Sequence, residues 1–281
     1  MPPRARAASV LVVDDDRVTR HMTRSVLTRA GFNVRVASNG DDAIRRLNDS
    51  RFDVLLLDVW MPKMDGLAVL ERMKSSKRAP KVVMLTSDDA PETLLKAIRR
   101  RAHQVAHKPI AAPALVSLVQ KALESRSEPP IDVLSARPEW VELSVPCTRE
   151  AADRLHDVMT HLDADLPQDL RESVSYAFRE LLLNAVEWGG KLDPRRRVRI
   201  SYLRARRMLL YRISDPGPGF KMDNLPHAAI SHPDNPIEHM NVREQQGLRP
   251  GGFGILMVRA KVDELIYNEQ QNEVMFVKYL D

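Results

Sequence analysis

Three short apolar runs in the first half of the chain each end on an oxygen-bearing side chain. Val10 to Val13 stops at Asp14, Asp15 and Asp16, the run from Phe52 to Leu57 stops at Asp58, and Lys81 to Leu85 stops at Thr86. Runs apolar on both faces suit strands buried in a parallel sheet. Helical patterns separate them: Val18 to Ala30, closed by Gly31, then Asp41 to Leu47, Leu67 to Lys74 and Pro91 to Arg101. This alternation predicts right-handed crossovers and an open sheet with helices on both faces. Such sheets bind ligands beyond the carboxyl ends of their strands. That edge collects Asp14, Asp15, Asp58 and Thr86, and a later strand near residues 104–106 adds Lys108 before Pro109. Carboxylates held close repel one another unless a cation lies between them, and hard oxygen ligands suit Mg²⁺. With Mg²⁺ there, a phosphoryl group can approach Asp58, with Thr86 and Lys108 ready to hold its oxygens. The plainer reading, that these acids only cap strands and helices, does not explain why they gather at one edge.

The stretches Val-Leu-Val-Val-Asp-Asp-Asp (10–16), Leu-Leu-Asp-Val-Trp-Met-Pro-Lys-Met-Asp-Gly (56–66), Leu-Thr-Ser (85–87) and His-Lys-Pro (107–109) together resemble a response-regulator receiver domain over about residues 8–124. The resemblance implies a flavodoxin-like, CheY-like doubly wound parallel sheet with Asp58 as phosphoacceptor. It implies Mg²⁺ held by Asp15, Asp58 and the Trp60 carbonyl, with Asp14 acting through water, and an upstream histidine kinase as partner. One position departs from the family: Val105 stands three residues before the lysine, where an aromatic ring is common. The usual ring rotation is then unavailable to report phosphorylation. The Arg99-Arg100-Arg101 run is an alternative exit for the signal, or simply a solvated helix end.

After a last helix at Leu115 to Glu124, the polar and proline-rich Ser125 to Pro130 opens a linker read as 125–136, which sets the domains at 1–124 and 137–281. The second half reads as a strand (Trp140 to Val145), a helix (Arg149 to Leu162), a longer helix (Gln168 to Trp188) stopped by Gly189-Gly190, a hairpin (Arg197 to Leu203, Met208 to Ser214), a helix (Ile255 to Val262) and two closing strands (264–267 and 273–279). Glu180 and Asn184 lie four apart and so share a helix face. Ser-Asp-Pro-Gly-Pro-Gly-Phe (214–220) puts Asp215 at a strand end followed by Gly217 and Gly219, where bare backbone can approach a ligand closely. Gly-Gly-Phe-Gly-Ile (251–255) opens a helix whose free amides suit phosphates. Each glycine cluster read alone is a plain turn, and the Glu–Asn pair alone is an ordinary helix face.

In this order the three motifs resemble the Bergerat ATP-binding fold shared by gyrase, histidine kinases and anti-sigma-factor kinases, over about residues 137–281. The resemblance implies an α/β sandwich with a mixed sheet. Asn184 would coordinate Mg²⁺ on the phosphates of ATP, and Asp215 would accept a hydrogen bond from the adenine amino group. Gly217 and Gly219 would shape the base pocket, and Gly252 and Gly254 would contact phosphates beside a lid at 221–250. Phe253 to Leu265, ending Lys-Val-Asp-Glu-Leu, is similar to the anti-sigma serine/threonine kinases. That similarity implies Glu180 as general base, a STAS-domain antagonist as substrate, a sequestered sigma factor and a homodimer.

Two rival outputs are a non-catalytic nucleotide clamp and a histidine kinase using His156, since Leu155-His156-Asp157 resembles an acceptor motif. Only 28 positions separate His156 from Asn184, too few for a dimerisation hairpin plus the rest of the fold. His227, His232 and His239 follow no metal-ligand spacing. Residues 1–124 carry a charge of +8 and the remainder −3, so the net +5 does not describe one basic protein. No helix-turn-helix or zinc pattern accompanies the basic half, so direct DNA binding is not expected. No apolar run nears the ~20 residues of a membrane span, and the single cysteine, Cys147, fits a reducing, cytoplasmic setting.

Overall fold

The computed structural model describes residues 7–73, 79–88, 91–125, 129–137, 139–219 and 253–280, within two compact units, Met1–Ser127 and Glu128–Asp281. In the first unit β1 (Ser9–Val13), α1 (Arg17–Arg29), β2 (Asn33–Ala37), α2 (Gly40–Asp49), β3 (Val54–Asp58), α3 (Gly66–Met73), β4 (Lys81–Thr86), α4 (Pro91–Arg99), β5 (Gln104–His107) and α5 (Ala112–Glu124) follow in turn. All four strand pairings are parallel, in the order β2-β1-β3-β4-β5. The order reverses between β1 and β3, and it is at such a switch point that an open α/β sheet forms its crevice.

Two of the apolar runs became β1 and β3, buried at every position, and the third became β4, buried from Val82 onward. Strand β2 gave no such run. It lies at the sheet edge with Asn33 and Arg35 exposed, so its apolar residues only alternate. Leu27, Val119 and Ala122 of the helices pack on Val10, Val12, Val54, Leu56 and Val83, each fully buried aliphatic side chain contributing about 1.5–3 kcal/mol. Helix α1 starts where Asp16 accepts the Thr19 amide, and α2 where Asn39 accepts that of Asp42.

The second unit runs β6 (Asp132–Arg137), β7 (Trp140–Pro146), α6 (Arg149–Leu162), α7 (Gln168–Asn184), a π turn (Ala185–Gly189), β8 (Arg197–Ala205), β9 (Met208–Ser214), α8 (Gly254–Lys261), β10 (Glu264–Tyr267) and β11 (Glu273–Tyr279). Three expectations need correcting. The sheet is antiparallel at every described pairing, in the order β10-β11-β9-β8-β7-β6, rather than mixed. Part of the expected linker is the edge strand β6, whose exposed Asp132, Leu134 and Arg137 leave no apolar signature. The long helix does not run unbroken to Trp188 but widens into the π turn after Asn184, a device that often marks functional sites.

The core of this unit is aromatic. Tyr211 stacks on Phe276 at 4.9 Å and meets Tyr202 edge-on at 4.9 Å and Phe178 at 5.0 Å. Both tyrosine hydroxyls donate to the buried Asp163, Tyr202 at 2.9 Å and Tyr211 at 2.5 Å. Burial raises the pKa of Asp163 above its usual 3.8, and the two tyrosine bonds hold it back. A carboxyl raised in the folded state is neutral at low pH in both states, so stability falls as pH climbs from about 3.8 through the folded value. Tyr211→Phe leaves the acid with one donor fewer. The substitution is expected to lower the unfolding free energy by about 1–3 kcal/mol and to steepen this loss with pH, as read by urea titrations at several pH values. An unchanged midpoint and pH slope would contradict this.

Candidate functional site

At the carboxyl edge of the parallel sheet, carboxylate oxygens of Asp14, Asp15 and Asp58 lie within 4.8 Å of one another, a set able to hold a metal ion. Asp14 and Asp58 are buried and Asp15 is exposed. The donor set is all oxygen and opens to solvent through Asp15, which fits a hard cation that keeps some of its water. Lys108 reaches both buried acids, at 2.8 Å to Asp14 and 2.9 Å to Asp58. Burial, with Asp14 close by, raises the pKa of Asp58 despite the lysine. Burial opposes the charge on Lys108, but Asp14 and Asp58 outweigh it and raise its pKa.

Backbone pairing brings the remaining residues to this edge. The Lys108 amide donates to the Thr86 carbonyl at 2.7 Å, and the Val59 amide to that of Leu85 at 2.9 Å. Gly66 is needed beneath the acid, because a Cβ there would lie 2.1 Å from the Asp58 carbonyl oxygen. The buried Thr86 hydroxyl accepts the Asp88 amide at 2.9 Å, and Thr93 of α4 donates to the Asp88 carboxylate at 2.9 Å. Sequence reading did not single out Asp88 and Thr93, which tie Thr86 to α4. Val105 is buried in the sheet, and Arg100 of the arginine run pairs with Glu71 at 3.0 Å.

In the second unit α7 carries Glu180 and Asn184 one turn apart and packs against α8. A Cβ on Gly254, the first residue of α8, would lie 2.4 Å from Glu180 Oε2. The carboxylate therefore rests on the N-terminal turn of that helix. Beyond Asn184 the π turn delivers Gly189, where a Cβ would lie 2.1 Å from Asp215 Oδ1. Asp215 is half-buried, its pKa is raised by that burial, and its Oδ1 accepts the Gly217 amide at 2.7 Å. Gly217 packs on both Asp215 and Gly189. Gly219 has φ +84°, and a Cβ on it would strike the Gln270 carbonyl oxygen, so the turn between β10 and β11 itself demands glycine there. Glu180 against Gly254 marks one end of a candidate wall and the Gly189–Asp215–Gly217 cluster the other, with Asn184 between them along the chain. This wall has the close-backbone character that a flat base and phosphates require. Gly252, the segment 221–250 expected to form a lid, and its three histidines lie outside the described residues.

His156 turns toward α7 and bonds Ser175 at 2.8 Å, with its pKa lowered by burial. It is a half-buried helix histidine bonded within its own unit. Cys147 is buried under Gly190, and burial lifts its pKa to about 11, which leaves it protonated and unreactive.

Comparisons with known proteins cover both units. Residues 10–120 match the family model "Response regulator receiver domain", and residues 145–278 match "Histidine kinase-like ATPase domain". The DNA-binding response regulator MtrA of Mycobacterium leprae is 30% identical over 181 residues, which cover 64% of this chain and 79% of that protein. This chain belongs to the response regulators. Other relatives share less of their length. The DNA-binding transcriptional regulator NtrC of Azospirillum brasilense is 33% identical over 44% of this chain, which spans only 26% of that relative. The chain spans 62% of the response regulator MprA of Mycobacterium avium. Among solved structures, the receiver domain of NtrX from Brucella abortus is 34% identical and aligns over 42% of this chain and 99% of its own, with a TM-score of 0.40.

This response regulator therefore joins a receiver domain to a histidine-kinase-like ATPase domain. Gly189 is the position where an added Cβ would meet the Asp215 carboxylate itself. Gly189→Ala is expected to displace the Asp215 carboxylate and cut ATP affinity at least about tenfold, with the melting temperature of the domain little changed. Affinity within twofold of wild type would show that the wall does not face the ligand.

Proposed function

We propose that this response regulator has an ATP-dependent protein serine/threonine kinase of the anti-sigma type as its output, gated by phosphorylation of Asp58. In this reading the receiver covers about residues 1–124 and the kinase about 137–281. An upstream histidine kinase supplies the phosphoryl group to Asp58. Asp14, Asp15 and Asp58 hold the Mg²⁺ that offsets the charge, and Thr86 and Lys108 hold the phosphoryl oxygens. When Thr86 turns to the phosphoryl group it gives up its bond to Asp88, and that loss is the route to α4, in place of the aromatic switch that Val105 removes.

In the output domain Asp215 accepts the adenine amino group, with Gly217 and Gly219 behind the base. Asn184 holds Mg²⁺ on the phosphates, and Gly252 and Gly254 meet the phosphates at the start of α8. A substrate serine or threonine hydroxyl attacks the γ-phosphorus, its proton passes to Glu180, and ADP leaves. The substrate is a STAS-domain antagonist and the second partner a sigma factor, with the chain acting as a cytoplasmic homodimer away from DNA and membrane. The observation that carries this reading is the Glu180 carboxylate lying against Gly254, one helical turn before Asn184. A carboxylate at the start of α8 supports a base beside the phosphates, which a mere clamp would not need.

The test is transfer from γ-labelled ATP to STAS-domain proteins of the same genome. Glu180→Gln is expected to retain ATP binding and lose at least about 100-fold in transfer rate. Asp58→Ala is expected to abolish the change in transfer that acetyl phosphate produces in the wild type. Equal transfer by wild type and Glu180→Gln would remove the base. Tight sigma-factor binding without any transfer would leave a nucleotide-dependent clamp instead.

A further inference from the structure

The loop presenting Asp215 is tied down from outside at three successive residues. The Asp215 amide donates to the Asn272 carbonyl at 2.8 Å. Arg196 donates through Nη2 to the Pro216 carbonyl. Asn272 donates through Nδ2 to the Gly217 carbonyl at 3.1 Å. Inside the loop the Gly217 amide holds Asp215 Oδ1, so among the described residues Oδ2 is left without a hydrogen-bond partner.

The direction of the Asn272 bond follows from its surroundings. Asn268 Oδ1 accepts the amides of both Asn272 and Glu273, each at 3.1 Å. Its Nδ2 is therefore the group that points onward, and it donates to Asn272 Oδ1 at 2.8 Å. A backbone carbonyl can only accept, so Asn272 meets Gly217 with its Nδ2. Turning either amide over would set acceptor against acceptor. The turn between β10 and β11 thus acts as a one-way strap across the loop, and Gly219 leans on the same turn at Gln270.

We propose that Asn272 is a positioning residue for base selectivity. It fixes the Asp215–Gly217 segment at the height where the Asp215 carboxylate meets the 6-amino group of a purine, and so sets the preference for adenine over 6-oxopurines. The inference rests on the nucleotide-binding reading above and adds to it the residue that makes the site selective. Asn272 itself touches no base in this account; it acts through the loop.

The full chain is titrated with Mg²⁺-ATP and with Mg²⁺-inosine triphosphate, which has the same phosphates but a 6-oxo group. Asn272→Ala, which leaves the charge unchanged, is expected to weaken ATP binding about tenfold and to leave inosine triphosphate binding unaltered, so the preference shrinks by that factor. Equal weakening of both nucleotides would make Asn272 a purely structural residue and overturn the proposal, as would no change in either. If Asn272→Ala does not fold, Asn268→Ala removes the group that orients the Asn272 amide, together with the two turn amide bonds its Oδ1 accepts, and is judged by the same ratio. Wild-type protein that binds neither nucleotide, or both alike, defeats the base-recognition reading itself. That result appears before any variant is compared, so the two failures are distinguishable.

Discussion

The carboxylate of Asp215 occupies the space that any side chain at residue 189 would fill, and the candidate nucleotide site is built outward from that contact. For the two segments to meet, α7 must end in a wider turn, the residue arriving there must be glycine, and β9 must stop one residue before the acid. The π turn at Ala185–Gly189 satisfies the first condition and Gly189 the second, while Ser214 closes β9. Burial then raises the pKa of Asp215, a cost that the Gly217 amide and the nearby Arg196 offset in part. The antiparallel sheet beneath, packed around Tyr211, keeps β9 and β11 in register so that their ends rise together.

The receiver solves a different problem, that of gathering negative charge. Two buried acids and one exposed acid share an edge of the sheet, and Lys108 spans the buried pair. The arrangement works only because parallel pairing delivers the ends of β1, β3 and β4 to one side and because the backbone of Lys108 pairs with Thr86. The Thr86–Asp88–Thr93 chain gives a physical path from that edge to a helix without an aromatic ring at residue 105.

The first unit was largely legible in the sequence. Strands buried on both faces leave continuous apolar runs, and the ends of those runs name the acid cluster directly. Where burial is one-sided the signal fades, which is why β2 and β6, both edge strands, gave none. The second unit was legible through its glycines and its Glu180–Asn184 spacing. The same letters cannot reveal that Gly219 answers to Gln270, that α7 widens after Asn184, or that Asn272 and Arg196 brace the Asp215 loop. Those depend on contacts between segments distant in the chain, made by residue types that are commonplace in turns. Asp163 shows the same limit: an acid after a helix reads as a solvated cap, and only the pairing of β8 with β9 brings two tyrosines onto it.

The central claim is that one nucleotide spans the wall from Asp215 to the start of α8. A crystal structure of the chain with Mg²⁺ and ADP addresses it directly. The account predicts the adenine amino group about 3 Å from Asp215, Mg²⁺ on Asn184 and the phosphates at Gly254. A nucleotide bound elsewhere, or lying here with its base away from Asp215, would contradict it.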